Sequence, residues 1–163
     1  MDVVETLIGI TEIAVALAGF TGVVVAFGTR SRGAWHPGDR LRLTFLLEAS
    51  LTAAGFALLG LLLLAAEIDP TYSWAACSLA WSVYMLFSLA TSRIALKDSQ
   101  LTHGDVDRLA NRITATLFIV MIIAQLSNAV LWQSFAPFLA ALILNLAGAA
   151  MQFTRLIRSA FEG

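Results

Sequence analysis

The sequence predicts an all-α fold: a polytopic membrane helical bundle of five transmembrane helices, forming a single integral membrane domain over residues 1–163. The first observation is composition, because 59% of the residues are hydrophobic and only 13% are charged. With a mean hydropathy of +0.82, a soluble domain of this size could not bury its apolar surface, so lipid must cover part of it. The second observation is that five hydrophobic runs each reach the length needed to cross a bilayer. The third is the distribution of basic residues between those runs.

The predicted spans follow one another with short connections. They lie at about residues 5–28, 41–66, 73–95, 110–132 and 136–157. The last two require a break, because one helix from Ala110 to Arg155 would be ~68 Å long, over twice the hydrocarbon thickness. Proline favours a helix start and restricts the residue before it, so Pro137 and its neighbours predict two helices in a tight hairpin.

Charge predicts the orientation of these spans. If the five spans alternate in direction, all ten basic residues fall on one side: Arg30, Arg32, Arg40, Arg42, Arg93, Lys97, Arg108, Arg112, Arg155 and Arg158. The other side carries acidic residues and no Lys or Arg, namely Asp2, Glu5, Glu67 and Asp69. The positive-inside rule then predicts an N-terminus outside and a C-terminus in the cytoplasm. An outer aromatic belt is predicted from Tyr72, Trp74, Trp132 and Phe135.

Two glutamates lie well inside predicted spans, Glu12 in the first and Glu48 in the second. Even on the lenient insertion scale an acidic residue at the centre of a span costs about 2.5–3.5 kcal/mol, so each glutamate is a candidate functional residue. Both precede a Gly-Phe pair at the same spacing, Gly19-Phe20 and Gly55-Phe56. Such a pattern is typical of inverted pairs that transporters build around a site at the middle of the membrane. Chance recurrence in a chain rich in Ala, Gly, Leu and Phe is the alternative.

Small residues near these glutamates predict close packing of the first two helices. Because the helices are antiparallel, Glu12 lies ~24 Å from the cytoplasmic end and Gly55 lies ~21 Å from it, at nearly the same level. We therefore expect Gly19, Gly22 and Gly55 to let the two backbones approach closely. One face of the first helix carries a stripe of acidic and small residues, which is expected to point into protein. Its members are Glu5, Gly9, Glu12, Ala16 and Gly19.

Three amides fall at depths close to that of Glu12, and they extend the candidate ion pathway. The predicted pathway comprises Glu12, Glu48, Gln125, Asn128 and Asn145. A lower polar layer would join Glu48 to Thr21 and Gln152. The structural alternative for the amides is interhelical hydrogen bonding, which contributes about 0.6 kcal/mol on average in membranes.

The sequence lacks the residues that several classes of function require. The net charge of −1 and the absence of a basic cluster disfavour nucleic acid as a partner. With one cysteine, Cys77, and both histidines in loops (His36 and His103), no cofactor or metal is predicted. No His or Lys within the spans can serve as a base beside a nucleophile, so the chain is not expected to be an enzyme.

The segment Ala16–Gly22, with the sequence Ala-Leu-Ala-Gly-Phe-Thr-Gly, resembles segments of many small bacterial membrane proteins. This resemblance implies no activity and no role for any residue. Together with the predicted spans, it favours a multi-pass protein of a bacterial inner membrane.

The leading functional hypothesis is a homo-oligomeric channel or transporter for cations or protons that uses its intramembrane glutamates. Its expected partners are the lipid bilayer and further copies of the chain. The alternative is a non-conducting interaction subunit, sensor or effector, in which the glutamates are structural and the partners include other membrane proteins. A water-accessible Glu12 would favour conduction, whereas a Glu12 sealed against amides within one chain would favour the alternative.

Overall fold

A computed structural model describes residues 2–27, 37–98 and 108–161, and no strand occurs within these ranges. The helices are α1 (Val3–Phe27), α2 (Pro37–Ala65), α3 (Pro70–Asp98), α4 (Arg108–Ser127) and α5 (Phe135–Phe161). A turn of π-helix, Asn128–Trp132, continues α4. The predicted all-α class is confirmed. Among the residues that the predictions used, those outside the described ranges are Arg30, Arg32, His36 and His103.

The helices have the length and composition of membrane spans. Four contain a segment long and apolar enough to cross a bilayer: Val3–Val23, Arg40–Ala65, Pro70–Thr91 and Phe135–Arg158. A shorter apolar segment, Thr116–Trp132, lies within the predicted fourth span. The described chain therefore has four to five helices apolar enough to span, as expected of a membrane protein.

The chain reverses between the π-helical turn and α5. Gln133 adopts a left-handed backbone conformation with φ of 48°, and its N–H donates to the carbonyl of Asn128 at 2.7 Å. After Ser134 the chain enters α5, where the Pro137 carbonyl accepts a hydrogen bond from Gln125 Nε2 at 2.7 Å. Because these two residues lie on either side of the break, the bond requires the chain to turn back. The predicted break and hairpin are confirmed.

The left-handed Gln133 leads to a prediction about stability. A non-glycine residue in this conformation is strained by about 1–2 kcal/mol, part of which glycine loses again through the entropy of the unfolded chain. We expect Gln133→Gly to raise the free energy of unfolding by about 0.5–1 kcal/mol, and Gln133→Val, which is β-branched, to lower it. Thermal unfolding in detergent micelles measures both. Equal stabilities of the Gly and Val variants would contradict the conformation.

α2 ends in a Schellman motif that is closed by a second left-handed residue, Glu67, with φ of 56°. The Glu67 N–H donates to the Leu64 carbonyl at 3.0 Å, and the Ile68 N–H donates to the Leu63 carbonyl at 3.2 Å. Together these bonds satisfy carbonyls that the end of a helix leaves without intrahelical partners. Glu67 thus has a backbone role in ending α2.

Aspartates cap two of the helices. Asp69 precedes Pro70, the first residue of α3, and its Oδ1 accepts the Thr71 N–H at 2.8 Å. Asp2 likewise accepts the Val4 N–H at 2.9 Å ahead of α1. Carboxylates at these positions satisfy free N–H groups and are favoured by the helix dipole. Two acids that the charge pattern assigned to the outer side therefore also define where helices begin.

The described chain forms two compact units. The first comprises Met1–Leu62 and Leu142–Gly163, and the second comprises Leu63–Ala141. Both α2 and α5 contribute to each unit. That the two units make up one membrane domain remains a prediction.

In the first unit, α1, α2 and α5 bury residues at helical spacing. The buried positions include Leu7, Ile10, Ala14 and Thr21 in α1, Leu46, Ser50, Thr52, Ala53, Ala54 and Ala57 in α2, and Leu142, Asn145, Leu146, Ala149 and Leu156 in α5. Five of these residues are alanines, whose small side chains allow helices to pack closely in lipid.

The second unit packs α3 against α4 and the π-helical turn. Trp74 is buried, with ring centroids 4.9 Å from Phe135 and 5.9 Å from Phe138. Its indole ring therefore packs against two phenylalanines of α5, one of them the predicted belt residue Phe135, and is not open to the surroundings of the chain. The belt itself remains a prediction. Tyr72 and Trp132, which were assigned to the same belt, are exposed.

Candidate functional site

The face of α1 that carries Glu12 points away from the core of the first unit. Leu7, Ile10 and Ala14 form the buried face, whereas Glu12 is exposed. Glu12 follows Leu7 by five positions, which places it about 140° around the helix. In the stripe of acidic and small residues to which Glu12 belongs, Gly9 is half-buried. The other members, Glu5, Ala16 and Gly19, are exposed. The expectation that this stripe points into protein was wrong for the single chain.

Glu12 lies in an open groove between α1 and α2, with a volume of about 550 Å³. The lining residues are Ile8, Thr11, Glu12, Val15, Ala16, Leu58 and Leu61. The first half of α1 thus lies beside the last third of α2, as an antiparallel pair requires. Glu12 lies at the level of Leu58 and Leu61, about one helical turn beyond the predicted level of Gly55.

Glu12 lines this groove through the hydrocarbon part of its side chain, because the groove surface is almost wholly apolar. The carboxylate of Glu12 has no protein partner among the described residues. The nearby Thr11 hydroxyl donates to the carbonyl of Leu7 at 2.9 Å, within its own helix. Of the described lining residues, Glu12 is the only ionisable one. The described residues also contain no group of three His, Cys, Asp or Glu side chains that could hold a metal ion. The groove is thus an apolar surface beside an acidic side chain whose carboxylate does not face into it.

The glycines predicted to mediate helix packing do not bring α1 and α2 together. A Cβ atom added at Gly19, Gly22 or Gly55 would meet no atom within 4 Å, and all three positions are exposed. Close approach at these glycines within one chain is therefore not observed, because alanines such as Ala14 and Ala57 occupy the buried faces instead. A packing role against another chain remains a prediction.

Asn128 is a structural amide at the end of the helical hairpin. Its Nδ2 donates to Ser78 Oγ at 2.7 Å and to the Ser134 carbonyl at 3.0 Å, and its Oδ1 accepts the Ser134 N–H at 3.1 Å. This buried side chain thereby joins α3, the π-helical turn and the residue before α5. All of its donors are used in holding helices together.

The other two amides of the predicted pathway also make bonds between helices. Gln125 donates from Nε2 to the Pro137 carbonyl, and Asn145 donates from Nδ2 to the Ala49 carbonyl at 3.1 Å. Gln125 Oε1 is buried and accepts no hydrogen bond. Interhelical hydrogen bonding, the alternative to an ion pathway, therefore accounts for every hydrogen bond that these amide groups are seen to donate.

Glu48 and its predicted neighbours differ from Glu12 in their surroundings. Glu48 and Gln152 are half-buried, and Glu48 takes part in an interaction of its own. Thr21 is buried and its hydroxyl donates to the Leu17 carbonyl at 2.7 Å. The two glutamates of the sequence repeat thus occupy unlike environments, and only Glu12 has a free carboxylate.

No family model, curated protein or solved structure matches this chain. The candidate site therefore depends on its own geometry. Sequence reasoning selected Glu12 but missed Leu58 and Leu61, the residues of α2 that complete the groove. An antiparallel hairpin brings them near Glu12, but their apolar side chains carry no sequence signal that separates them from neighbouring leucines.

Proposed function

We propose that this protein is a small multi-pass membrane protein that moves cations or protons across the bilayer as a homo-oligomer. Glu12 is the cation-binding group, and the exposed face of α1 lies toward further copies of the chain. The protein resides in a bacterial inner membrane with five spans, its N-terminus outside and its C-terminus in the cytoplasm, as the positive-inside rule indicates.

The observation that carries this proposal is the unpaired carboxylate of Glu12 on the exposed face of an apolar helix, beside an apolar groove. A charged side chain at this depth is unfavourable in contact with lipid alone, so such groups face water-filled cavities or protein partners and mark ion paths. In a homo-oligomer, copies of α1 can surround or border a shared axis and supply several carboxylates at one level.

The amides are assigned a supporting role in this mechanism. Asn145 ties α5 to α2, the helix that lies beside α1 at the groove, whereas Asn128 and Gln125 hold α3, α4 and the start of α5 together in the second unit. Glu48 has its own interaction and serves as a second, weaker acidic station.

The competing function is a non-conducting subunit, sensor or effector that binds other membrane proteins. The observation that favours it is the use of the amides in structural bonds. In this function the exposed α1 face is a docking surface, and a partner protein pairs with Glu12. Reconstitution of the purified protein in liposomes separates the two: conduction predicts cation or proton flux that empty liposomes lack, and absence of flux at every pH and voltage favours the interaction protein.

A glycine on the exposed α1 face tests the homo-oligomer. Because a Cβ at Gly19 meets no atom within 4 Å, we expect Gly19→Leu to change the free energy of unfolding of the chain by no more than about 0.5 kcal/mol. Leucine at a packed oligomer contact would hold the helices apart, so we expect the variant to dissociate into smaller species. Size-exclusion chromatography with light scattering in detergent measures the mass.

Gly148→Leu in α5 is the matched control for this substitution, since a Cβ at Gly148 also meets no atom within 4 Å. We expect the oligomer to persist in that variant. An unchanged mass for Gly19→Leu would show that this face of α1 does not mediate assembly.

A further inference from the structure

The first unit carries a group of arginines at one end of the pair formed by α2 and α5. These two helices lie side by side, because Asn145 Nδ2 of α5 donates to the Ala49 carbonyl of α2 at 3.1 Å. Residues 63–65 of α2 and residues 135–141 of α5 both belong to the second unit, so the two helices run in opposite directions. The start of α2 and the end of α5 therefore lie at the same end of the pair.

Arginines occupy both of these helix ends. Measured along the helix axes from the hydrogen bond that joins the helices, Arg40 lies ~14 Å away on α2 and Arg155 lies ~15 Å away on α5, with Arg158 one turn further. The segments that are long enough to cross a bilayer are Arg40–Ala65 and Phe135–Arg158. The arginines thus lie where the apolar segments end, at the level expected for lipid headgroups.

These arginines carry charge that the protein does not balance. Arg40, Arg155 and Arg158 are exposed, and none of them has an ion-pair partner among the described residues. In the sequence of the two helix ends, four arginines stand against one acid, Asp39, so this end is positive overall. Arg155 and Arg158 are neighbours on the surface of α5, where like charges repel each other.

An exposed apolar strip leads along α5 to the two arginines. Leu144 and Met151 are 48% and 44% exposed. Together with Arg155 and Arg158 they follow the spacing i, i+7, i+11 and i+14, which places the four side chains within about 60° of one another around the helix. This side of α5 therefore offers apolar contact followed by positive charge, the same order as the acyl chain and the headgroup phosphate of a lipid.

We propose that this end of the α2–α5 pair binds the phosphate of an anionic phospholipid, whose acyl chain lies along the apolar strip of α5. Guanidinium groups present several N–H donors in a planar fork that matches phosphate oxygens. A phosphate between Arg155 and Arg158 relieves their repulsion. Arg40 lies in the first turn of α2, where the helix dipole also favours an anion. The site goes beyond the proposed ion transport, since it involves neither Glu12 nor α1.

Retention of radiolabelled dioleoyl phosphatidylglycerol by the purified full-length protein, immobilised on resin in mixed detergent micelles, tests the proposal. We expect the wild type to bind this lipid roughly tenfold more tightly than dioleoyl phosphatidylcholine, whose headgroup has no net charge. The double variant Arg155→Gln/Arg158→Gln should bind phosphatidylglycerol roughly tenfold or more weakly than the wild type, because each basic residue near the headgroups contributes about fivefold to the affinity. Both positions are exposed, so the variant should fold like the wild type.

The double variant Arg93→Gln/Lys97→Gln is the matched control, since it removes the same charge from α3 in the second unit. Its affinity for phosphatidylglycerol should be unchanged. An equal loss of affinity in the two double variants would show that the lipid responds to overall charge, and the site on α5 would be wrong.

Inorganic phosphate separates a lipid site from a site for a soluble anion. We expect an excess of phosphate to leave phosphatidylglycerol bound as well as chloride does at the same ionic strength, because phosphate gains nothing from the apolar strip. Displacement by phosphate and not by chloride would assign the arginines to a soluble anion and overturn the lipid site. Equal retention of phosphatidylglycerol and phosphatidylcholine would also overturn it.

Discussion

Replacing Asn128 with Leu is expected to lower the free energy of unfolding by about 2 kcal/mol, the largest effect on stability that we predict for a single polar side chain in the described chain. The substitution keeps a similar shape and removes the three hydrogen bonds that the Asn128 amide makes. Interhelical hydrogen bonds in membranes average about 0.6 kcal/mol each, and the buried groups left unpaired add to that loss.

The position of Asn128 explains why its loss matters. The side chain reaches Ser78 in α3 and both backbone groups of Ser134, the residue before α5. Leucine would leave the Ser134 N–H and the Ser78 hydroxyl without these partners at the end of an apolar hairpin. The turn between the π-helical segment and α5 would lose the side chain that bridges it.

Two serines serve as controls for Asn128→Leu in thermal unfolding experiments in micelles. Ser78→Ala removes one of the three bonds and should cost about 0.6 kcal/mol. Ser50→Ala removes a buried hydroxyl that has no hydrogen-bond partner, so it should be neutral or slightly stabilising. If Asn128→Leu is no more harmful than Ser50→Ala, the amide does not hold the hairpin.

Glu12→Gln is expected to reduce cation or proton flux through reconstituted protein by roughly tenfold or more, while the oligomer remains intact. The amide preserves the size and most of the hydrogen-bonding capacity of the side chain, but it cannot carry a negative charge or release a proton. A structural Glu12 would tolerate this change. A cation-binding Glu12 would not, because the attraction that draws the cation into the membrane is lost.

Glu48→Gln should reduce the flux less than Glu12→Gln does, since Glu48 is half-buried, has its own interaction and lies nearer the predicted cytoplasmic end. Glu5→Gln, which makes the same change of charge outside the groove, should conduct like the wild type. Flux is measured in liposomes at matched protein content, with the mass of each variant checked in detergent. A Glu12→Gln variant that conducts like the wild type would refute the role of Glu12 in transport.

Local features of the sequence predicted the break of the helical hairpin correctly. The break was predicted near Pro137, and the structure places it at the left-handed Gln133, with α5 beginning at Phe135. The aspartates that cap α1 and α3 accept hydrogen bonds from residues only two positions along the chain, so helix capping of this kind is also a local property of the sequence. Helix length also follows from sequence, because an apolar run must match the thickness of the bilayer. These properties depend on neighbours along the chain and need no knowledge of the packing.

Only the tertiary structure decided which side of α1 is covered. Large apolar residues lie on both the covered and the uncovered side of the helix: Ile13 and Val15 are 54% and 57% exposed, yet they are as hydrophobic as the buried Leu7 and Ile10. In lipid the hydrophobic effect does not distinguish a lipid-facing side from a protein-facing one, so pattern alone could not place the face of Glu12. The hydrogen-bond partners of the amides also could not be read from the sequence. Ala49 and Ser78, which pair with Asn145 and Asn128, come from other helices. Sequence alone thus determined that the chain is helical and that it breaks before α5, whereas packing between distant residues determined that Glu12 remains free and that the amides do not.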